Sequence, residues 1–367
     1  MDRSTVNSEP AANVSEAADD GNENEDSSAR VGIALILWGA LLAVVVLCAA
    51  GSFIWYWLES HPIGHQGSSV LIRVNEGESA DQVYSSLAAH GVISSALAFR
   101  ISDLIHGDPL IRLGAYDFKK NSSFAEVRSL FQSGPNIFFV TVYPGFTVAE
   151  VAAEVGKVPG HSETAFIADS KRYASLSPFS NPGTPGLEGL LGTGSYEIYP
   201  NESNKAILGQ MINRFDQIAA KAGLNQAAAA KLHMTPYQIV TVSSIVQKEG
   251  YIPANMGPVA RVIYNRLASG TPLQMDSTVL YSLGQDGGTV TKADLKLNTP
   301  YNTYLHAGLP PTPICFPSPT AISAALSPPS GKWMFFEVVD KNGTEAFSDT
   351  FAQQLANEKL AQARGIP

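Results

Sequence analysis

The amino-acid sequence predicts an α+β protein that follows a single membrane-spanning helix. Three observations support this fold class: a long apolar run near the N terminus, three strand-turn-helix patterns after it, and then helices separated by Pro/Gly-rich loops with one hairpin. Of the 367 residues, 45% are hydrophobic and 16% are charged, which is too apolar for a wholly disordered chain. We therefore expect folded domains beyond the membrane helix.

The apolar run covers residues 31–58 and contains no charged residue. At about 1.5 Å per residue, a helix of this length exceeds the roughly 30 Å hydrocarbon core of a bilayer. Trp55, Tyr56 and Trp57 crowd its C-terminal end as interfacial anchors, and Arg30 precedes it, which favours a cytoplasmic N terminus. A cleaved signal peptide is the alternative. The acidic leader, the length of the run and the lack of an evident cleavage site favour a retained helix.

The net charge of −9 is concentrated at the N terminus, because residues 1–30 contain eight acidic against two basic residues, which leaves −6. We assign no structure to this acidic tail. The nearly neutral remainder has no Lys/Arg cluster, which argues against a nucleic-acid partner. The two cysteines and seven histidines show no metal-ligand spacing, and we expect neither a metal nor another cofactor.

Folded structure is expected to begin near Val70, after a linker at residues 59–69. Residues 70–93, 114–134 and 140–158 share one plan: a short alternating strand, a polar or glycine turn, a Ser or Thr cap and an amphipathic helix. The third copy, with its turn at residues 143–147, resembles the LysM glycan-binding motif. The alternative is a packing unit without a ligand. We predict an α+β module at residues 70–160.

A second, mainly helical α+β domain is predicted at residues 161–367. Near its end, the runs 333–340 and 344–348 flank Lys341-Asn342-Gly343, in which Asn-Gly is a strong hairpin signal. A final helix is expected over residues 351–364.

The most informative segment of this domain is the predicted helix from Thr235 to Gly250. Thr235 suits the N-cap, and Gly250 suits the position just past the last turn. On a helical wheel, Glu249 falls between the apolar residues Ile245 and Val246. A carboxyl group in an apolar stripe loses hydration, which raises its pKa, as a general acid requires. Alternatively, the last turn emerges into solvent, or Glu249 pairs with an arginine.

Arg266 shows the same inward position on a predicted helix at residues 258–267. A buried guanidinium must be paired, and Glu249 and Asp276 are the nearest candidates in the sequence. We favour Asp276 as the partner, because Glu249 then keeps its proton.

Several polar residues follow in loops of the kind that line a sugar-binding groove. They are amides, hydroxyls and aromatic rings in rigid segments, although turn formation between helices is an alternative reading. The candidates for substrate contact are Gln274, Asp276, Ser277, Thr278, Tyr301, Asn302 and Tyr304.

Taken in order, six segments resemble the motifs of the endolytic murein transglycosylase (MltG or YceG-like) family. They are Leu187-Glu188-Gly189, Ser244-Ile245-Val246-Gln247-Lys248-Glu249, Asn265-Arg266-Leu267, the run Leu273-Gln274-Met275-Asp276-Ser277-Thr278-Val279, Tyr301-Asn302-Thr303-Tyr304 and Gly308-Leu309-Pro310-Pro311. The resemblance extends from about residue 31 to the C terminus. It implies a single-pass protein of the bacterial inner membrane with a LysM-like module and an extracytoplasmic lytic domain.

The resemblance also implies an activity, namely cleavage of β-1,4 bonds between N-acetylmuramic acid and N-acetylglucosamine in nascent peptidoglycan. The product keeps a 1,6-anhydro end, and the enzyme terminates glycan elongation. The family's catalytic glutamate falls on Glu249. Because the nucleophile belongs to the substrate, the second carboxylate of ordinary glycosidases is unnecessary. The expected partners are glycan strands, the membrane, and penicillin-binding proteins or other cell-wall synthases.

Two departures from the family pattern bear on the site. Gln247 stands where the family has the first Glu of a Glu-Lys-Glu stretch, which makes Gln247 an unsuitable acid. Residues 190–195 replace an aromatic-rich run, which affects the groove lining near Tyr196. Glu188, Tyr196 and Arg266 complete the set of residues expected to bind substrate.

Two other functions compete with this interpretation. Ser244 and Lys248 are four residues apart, as in a Ser/Lys hydrolase, although known pairs use a three-residue offset at a helix start. The chain could instead be a membrane-tethered scaffold that binds peptidoglycan and recruits synthases without catalysis.

Overall fold

The computed structural model describes residues 23–180, 183–250 and 252–366. The N-terminal elements are α1 (Glu23–Ser60), β1 (Ser69–Val74), α2 (Ala80–Ala89), α3 (Ala96–His106), β2 (Gly114–Lys119), α4 (Phe124–Ser133), β3 (Phe138–Val142) and α5 (Val148–Val155). They are followed by α6 (Glu163–Arg172), β4 (Gly194–Ile198), α7 (Asn204–Lys221), α8 (Gln226–Ala230), α9 (Pro236–Glu249), α10 (Pro253–Ser269), α11 (Asp276–Ser282), α12 (Pro319–Leu326), β5 (Phe335–Val338), β6 (Glu345–Ser348) and α13 (Phe351–Ala363). Two short 3₁₀ turns occupy Ala174–Leu176 and Asp294–Lys296.

The chain divides into two compact units. The N-terminal unit contains residues up to 111 and residues 118–132, and the C-terminal unit contains residues 112–117 and 133–367. The third strand-turn-helix copy therefore belongs to the C-terminal unit, whereas the sequence placed a domain boundary at residue 160. The reason is strand pairing: β3 pairs antiparallel with β4, with Phe138 opposite Ile198 and Val142 opposite Gly194. A local repeat pattern carries no information about a partner strand so far along the chain.

The helix α1 begins at Glu23, inside the tail for which the sequence predicts no structure. Its segment Leu35–Ser60 is long and apolar enough to cross a membrane. The rest of the protein does not cover the apolar part of this segment. The helix is thus compatible with a single-pass membrane anchor. The remainder of the predicted tail, residues 1–22, lies outside the described residues.

In the N-terminal unit, α2 and α4 form where the sequence predicts the helices of the first two strand-turn-helix copies, whereas α3 was not predicted. Ser79 caps α2 in a capping box with Gln82, in which each side chain bonds the backbone N–H of the other residue. Aromatic packing joins the helices, since the Phe99 ring contacts the rings of Tyr84 and Phe124 with centroids 4.8 and 5.1 Å apart. Whether this pattern amounts to a LysM module stays a prediction.

The C-terminal unit is built around α9, which packs against α10, α11 and α12. The sequence predicts one apolar stripe, but α9 is buried on all sides along residues 239–246. The buried hydroxyls of Thr241 and Ser243 donate to backbone carbonyls one turn earlier, which satisfies them without outside partners. Thr235 caps the helix in a capping box, as predicted.

Other elements of this unit confirm or extend the predictions. The hairpin of β5 and β6 is antiparallel, with Val338 opposite Glu345, and α13 follows it. The helix α10 begins five residues earlier than predicted, at Pro253, and it tolerates Pro258 inside. The helix α12 was not predicted from the sequence. It packs against α9 and carries the buried residue Ile322.

Candidate active site

A cavity of about 520 Å³ lies at the C-terminal end of α9 in the C-terminal unit. It is lined by the ends of α5, α9 and α11 and by the loop at residues 284–288. Five of its lining residues are acidic and one is basic: Glu150, Glu188, Glu249, Asp276, Asp286 and Lys248. Such a cavity repels anions.

Glu249, the last residue of α9, points its carboxyl group into this cavity. Its Oε1 accepts hydrogen bonds from the Ser277 hydroxyl at 2.6 Å and from the Ser277 backbone N–H at 3.3 Å. Loss of hydration raises the pKa of Glu249 above its ordinary value, and the negative charge of Asp276 adds to this. The hydrogen bonds from Ser277 and the positive charge of Arg266 act in the opposite direction and lower the pKa of Glu249. The net effect is a carboxyl group that holds its proton more tightly than in water.

Glu188 is a second carboxyl group in the same cavity. It accepts hydrogen bonds from the Val148 backbone N–H at 3.2 Å, at the start of α5, and from the Tyr281 hydroxyl at 3.1 Å. Burial raises the pKa of Glu188 to about 7, against the lowering effect of these bonds. The following residue is necessarily glycine, because Gly189 has φ +76° and a Cβ atom there would lie 2.3 Å from Pro313.

Asp276 lies beside Glu249 on the exposed rim of the cavity. Its Oδ1 accepts a hydrogen bond of 2.6 Å from the Tyr304 hydroxyl, which fixes the carboxylate in place. The nearby negative charge raises the pKa of Tyr304, as does burial of its ring. Tyr304 and Ser277 thus each position an acidic side chain at the cavity.

Lys248 forms an ion pair with Asp286 across the cavity mouth. Ser244 is fully buried, and its hydroxyl donates to the Thr241 carbonyl at 2.8 Å and accepts from the Ile314 N–H at 3.0 Å. Because Ser244 and Lys248 are each engaged elsewhere, the geometry argues against a Ser/Lys hydrolase.

Gln247 has a structural role that explains the amide at this position. Its Oε1 accepts a hydrogen bond of 2.9 Å from the backbone N–H of Ser318, the N-cap residue of α12. Gln247 therefore ties α9 to α12 and lies away from the cavity.

Three of the predicted substrate-binding residues are core residues. Tyr196 is buried on β4, its hydroxyl donates to the Gly192 carbonyl, and Arg214 lies over its ring. Thr278 is buried and donates to the Met275 carbonyl. Asn302 is buried and donates to two loop carbonyls at 3.0 and 2.9 Å. Each of these side chains bonds a backbone carbonyl inside the protein, and substrate contact by them stays a prediction.

Arg266 is buried as predicted, but its partners differ from those expected. Its Nε donates to the Met334 carbonyl at 2.6 Å and its Nη1 to the Leu273 carbonyl at 2.5 Å, and the guanidinium lies over the Phe335 ring. Among the described residues, no ion pair joins it to Asp276. Backbone carbonyls therefore replace the predicted carboxylate, and Arg266 holds the loop before α11 against the hairpin.

The remaining predicted residues lie at the edge of the site. Gln274 is exposed with φ +53°, and its backbone N–H donates to the Thr303 carbonyl at 3.0 Å. Tyr301 is half-buried, its hydroxyl bonds Thr312 at 2.9 Å, and its ring contacts that of Tyr281. Tyr301 thus supports the residue that holds Glu188.

Two neighbouring cavities continue the central one within the same unit. A cavity of about 480 Å³ shares Glu249 and Asp276 with it and reaches the hairpin of β5 and β6. A cavity of about 320 Å³ shares Glu188 and Tyr281 with it and reaches α6 through Lys171. Glu249 therefore lies where two of three adjoining cavities meet.

Sequence reasoning missed residues that reach the cavity from α5, from α11 and from the loop after α11. Glu150 lines the cavity and forms a capping box with Thr147 at the start of α5. This motif is visible in the sequence. Tyr281 and Asp286 carry no local signal, because their positions depend on tertiary contacts. Among the described residues, no cluster of His, Cys, Asp and Glu has the arrangement of a metal site.

The fold and the cavity together define a class: an α+β protein with an N-terminal apolar helix and an acidic cleft at the end of a buried helix. More particularly, the chain belongs to the YceG-like family, whose model matches residues 72–360.

Known proteins similar to this chain include curated relatives from two bacteria. The endolytic murein transglycosylase of Bacillus subtilis (strain 168) is 27% identical over 314 residues, covering 81% of this chain and 86% of the relative. The protein of the same name from Streptococcus pneumoniae (strain R6) is 24% identical over 332 residues, and the chain spans 60% of its length.

The fold is also similar to a solved structure. The crystal structure of a yceG-like protein from Listeria monocytogenes matches with a TM-score of 0.52 and 25% identity. The match covers 79% of this chain and 99% of that chain.

Proposed function

We propose that this chain is a membrane-anchored endolytic peptidoglycan lytic transglycosylase with Glu249 as its catalytic acid and base. The observation that carries the proposal is the Glu249 carboxyl group, which lines an acidic cavity and has a raised pKa. The name shared by the curated relatives supports the substrate class.

The proposed reaction needs one carboxyl group. Protonated Glu249 donates its proton to the glycosidic oxygen between N-acetylmuramic acid and N-acetylglucosamine as the bond from C1 to that oxygen breaks. The resulting carboxylate then accepts the proton of the muramic acid 6-hydroxyl as O6 bonds to C1. The two proton transfers restore Glu249, and the product carries a 1,6-anhydro ring without consuming water.

The surroundings of Glu249 suit both halves of this cycle. The raised pKa keeps the acid protonated at the start, and the Ser277 bonds to Oε1 stabilise the carboxylate that forms next. Asp276, held by Tyr304, lies where its negative charge favours an oxocarbenium-like transition state. Glu188 would bind a sugar hydroxyl on the other side of the cavity.

The extended cleft supports an endolytic mode of action. Cavities continue from Glu249 towards the hairpin on one side and from Glu188 towards α6 on the other. A polymer chain can therefore occupy sites on both sides of the bond to be cleaved, which an enzyme confined to chain ends does not need.

The cellular arrangement belongs to the same proposal. With the N terminus in the cytoplasm, α1 would place both units outside the inner membrane, where new glycan strands are made; Arg30 before the apolar run supports this orientation. There the enzyme would terminate glycan elongation beside penicillin-binding proteins or other cell-wall synthases. The strand-turn-helix copies at residues 70–160 would form a LysM-like module that binds glycan, and residues 161–367 would form the catalytic domain.

The test uses the full-length protein in detergent with uncrosslinked glycan strands. Mass spectrometry should detect 1,6-anhydromuramic ends, and Glu249→Gln should reduce their release by about 10²–10⁴-fold, the usual contribution of general acid–base catalysis. Glu197→Gln, a matched change at an exposed residue of β4, should retain full release.

Undiminished cleavage by Glu249→Gln, with circular dichroism showing an intact fold, would refute the assignment of the acid. A Glu249→Gln protein that binds glycan strands and rescues a deletion strain would favour a non-catalytic scaffold.

A further inference from the structure

The helix α3 of the N-terminal unit carries its apolar side chains on its exposed face. Leu97, Leu104 and Ile105 are 64%, 85% and 60% exposed, whereas Ser102 and Asp103 are 2% and 6% exposed. Leu97, Ile101 and Leu104 are spaced four and three residues apart, which aligns them on one face of the helix. A surface helix of a soluble domain normally shows the reverse arrangement.

This orientation of α3 is fixed by what lies beneath it. Asp103 pairs with Arg128 at 2.5 Å, and both side chains are largely buried. The same guanidinium also donates to the carbonyls of His106 and Gly107 at the end of α3. Because the Phe99 ring packs within the aromatic cluster on the same side, turning the apolar face inward would break the ion pair and expose Phe99.

The start of α3 lies beside the C-terminal end of α1. The hydroxyl of Ser94, just before α3, donates to the Glu59 carbonyl at 3.4 Å, and the two helices are in contact. The Tyr56 ring of α1 meets the Phe124 ring of the aromatic cluster. Glu59 is about 3 Å along the helix axis from Trp57, one of the aromatic residues that mark the membrane–water boundary. With α1 across the bilayer, the first turn of α3 would lie at the level of the interface.

We propose that the exposed face of α3, formed by Leu97, Ile101, Leu104 and Ile105, inserts into the interfacial region of the bilayer that α1 crosses. The occupant is lipid: a helix whose apolar face meets acyl chains, and whose polar face meets the protein, is a typical interfacial helix. An apolar patch of this kind in contact with water would be a liability for a monomeric domain. The N-terminal unit is then seated on the membrane by two elements. The proposal rests on α1 crossing the bilayer and is independent of the proposed activity.

The test measures lipid contact on the full-length chain in phospholipid nanodiscs by spin labelling. A nitroxide is attached at Leu104→Cys in a Cys48→Ala background, and the buried Cys315 stays unlabelled. Collisions with oxygen, which dissolves in lipid, and with a water-soluble nickel chelate are compared by power saturation. The water-exposed reference is Ser85→Cys on α2, and the membrane reference is the native Cys48 in α1.

The expected result is that the label at residue 104 collides several-fold less with the nickel chelate than the label at residue 85, while oxygen reaches it freely. Nickel accessibility equal to that at residue 85 would overturn the proposal, since the face would then lie in water. Protection from both reagents would also overturn it, because protein would cover the face. Dipolar broadening between labels would identify a second copy of the chain as the occupant instead.

A second measurement asks whether the apolar face itself causes the contact. A label at Ile105→Cys should be protected from the nickel chelate in the otherwise unchanged sequence and become accessible when Leu97→Asn and Leu104→Asn are added. Both asparagines replace exposed side chains, so the fold should persist. If protection at Ile105 survives these changes, the apolar face is not what holds α3 to lipid. If the Cys48 label is also accessible to nickel, α1 does not span the bilayer and the premise fails.

Discussion

The helices α3 and α9 break the usual burial rule in opposite ways. In α3, the Asp103 carboxylate lies inside against Arg128 of α4, while leucines face outward. In α9, the helix is buried on every side, and its one carboxyl group emerges into an acidic cavity at its last residue. Asp103 has an ion-pair partner, whereas Glu249 has neutral hydrogen-bond donors and a like-charged neighbour.

The difference teaches how to separate structural from chemical roles for buried acids. A carboxylate paired with arginine is held in its charged form and stabilises one orientation of a helix. A carboxyl group that is desolvated beside other acids instead keeps its proton, which makes it available for transfer. The following predictions test each side of this contrast.

The largest effect is expected when the ion pair beneath α3 is broken. Arg128→Met leaves Asp103 buried without its partner, which should cost about 3–5 kcal/mol. Hydrogen exchange of the α3 amides, followed by mass spectrometry, should speed up accordingly. The double variant Asp103→Leu with Arg128→Met should recover much of the protection, since no unpaired charge remains. Unchanged exchange in the single variant would mean that the ion pair does not orient α3.

The second effect concerns Glu188 and the pH dependence of stability. Burial raises the pKa of Glu188 from an ordinary value of 4.5 to about 7. Between pH 4.5 and pH 7, the folded state therefore keeps a proton that the unfolded state has released. Wild-type stability should therefore fall as pH rises through this window. Glu188→Gln, which mimics the protonated form, should remove this loss and gain about 1–3 kcal/mol relative to wild type by pH 7.

Thermal melts at a series of pH values measure this difference. The matched change Glu197→Gln, at an exposed carboxylate, should leave the pH dependence of the wild type in place. Parallel curves for Glu188→Gln and wild type would show that Glu188 titrates as it does in water.

A smaller effect is expected on the acidity of Glu249. General acid catalysis fails as pH rises through the pKa of the acid, so the basic limb of kcat/KM reports that pKa. Ser277→Ala removes a bond that favours the charged form, and the pKa of Glu249 should rise further. The basic limb should then move to higher pH by about one unit.

The control for this change is Ser282→Ala on the same helix, whose hydroxyl bonds only the Val279 carbonyl among the described residues. Its basic limb should stay in place. A limb that moves to lower pH in Ser277→Ala would contradict the assignment of Glu249 as the acid.

The smallest effect is expected at the beginning of α9. Thr235→Ala removes the hydroxyl of the capping box and should lower the free energy of unfolding by about 1 kcal/mol. Activity at low temperature should persist, because Glu249 lies at the other end of the helix. A loss of glycan cleavage without a loss of stability would mean that Thr235 contributes to the reaction at Glu249, and it would contradict a purely structural role for the cap.

Local patterns predicted much of what was observed. The capping signal at Thr235, the hairpin at Asn342-Gly343 and the strand-turn-helix copies depend on neighbouring residues, and each is present. The choice of Glu249 over Gln247 as the catalytic acid rested on helical spacing together with the family resemblance, and it stays a prediction. The burial of Tyr196, Thr278 and Asn302 was not predicted, because spacing does not reveal whether a polar side chain faces a cavity or a backbone carbonyl.

By itself, the sequence determined the apolar N-terminal helix, the helix α9 with its terminal acid, and the family to which the chain belongs, since these depend on composition and short-range spacing. Only the tertiary structure decided which residues meet Glu249, that Arg266 bonds backbone carbonyls, that β3 pairs with β4, and that α3 turns its leucines outward. The physical reason is that burial and hydrogen-bond partners are set by segments distant in the chain, and their positions emerge only when the core is packed.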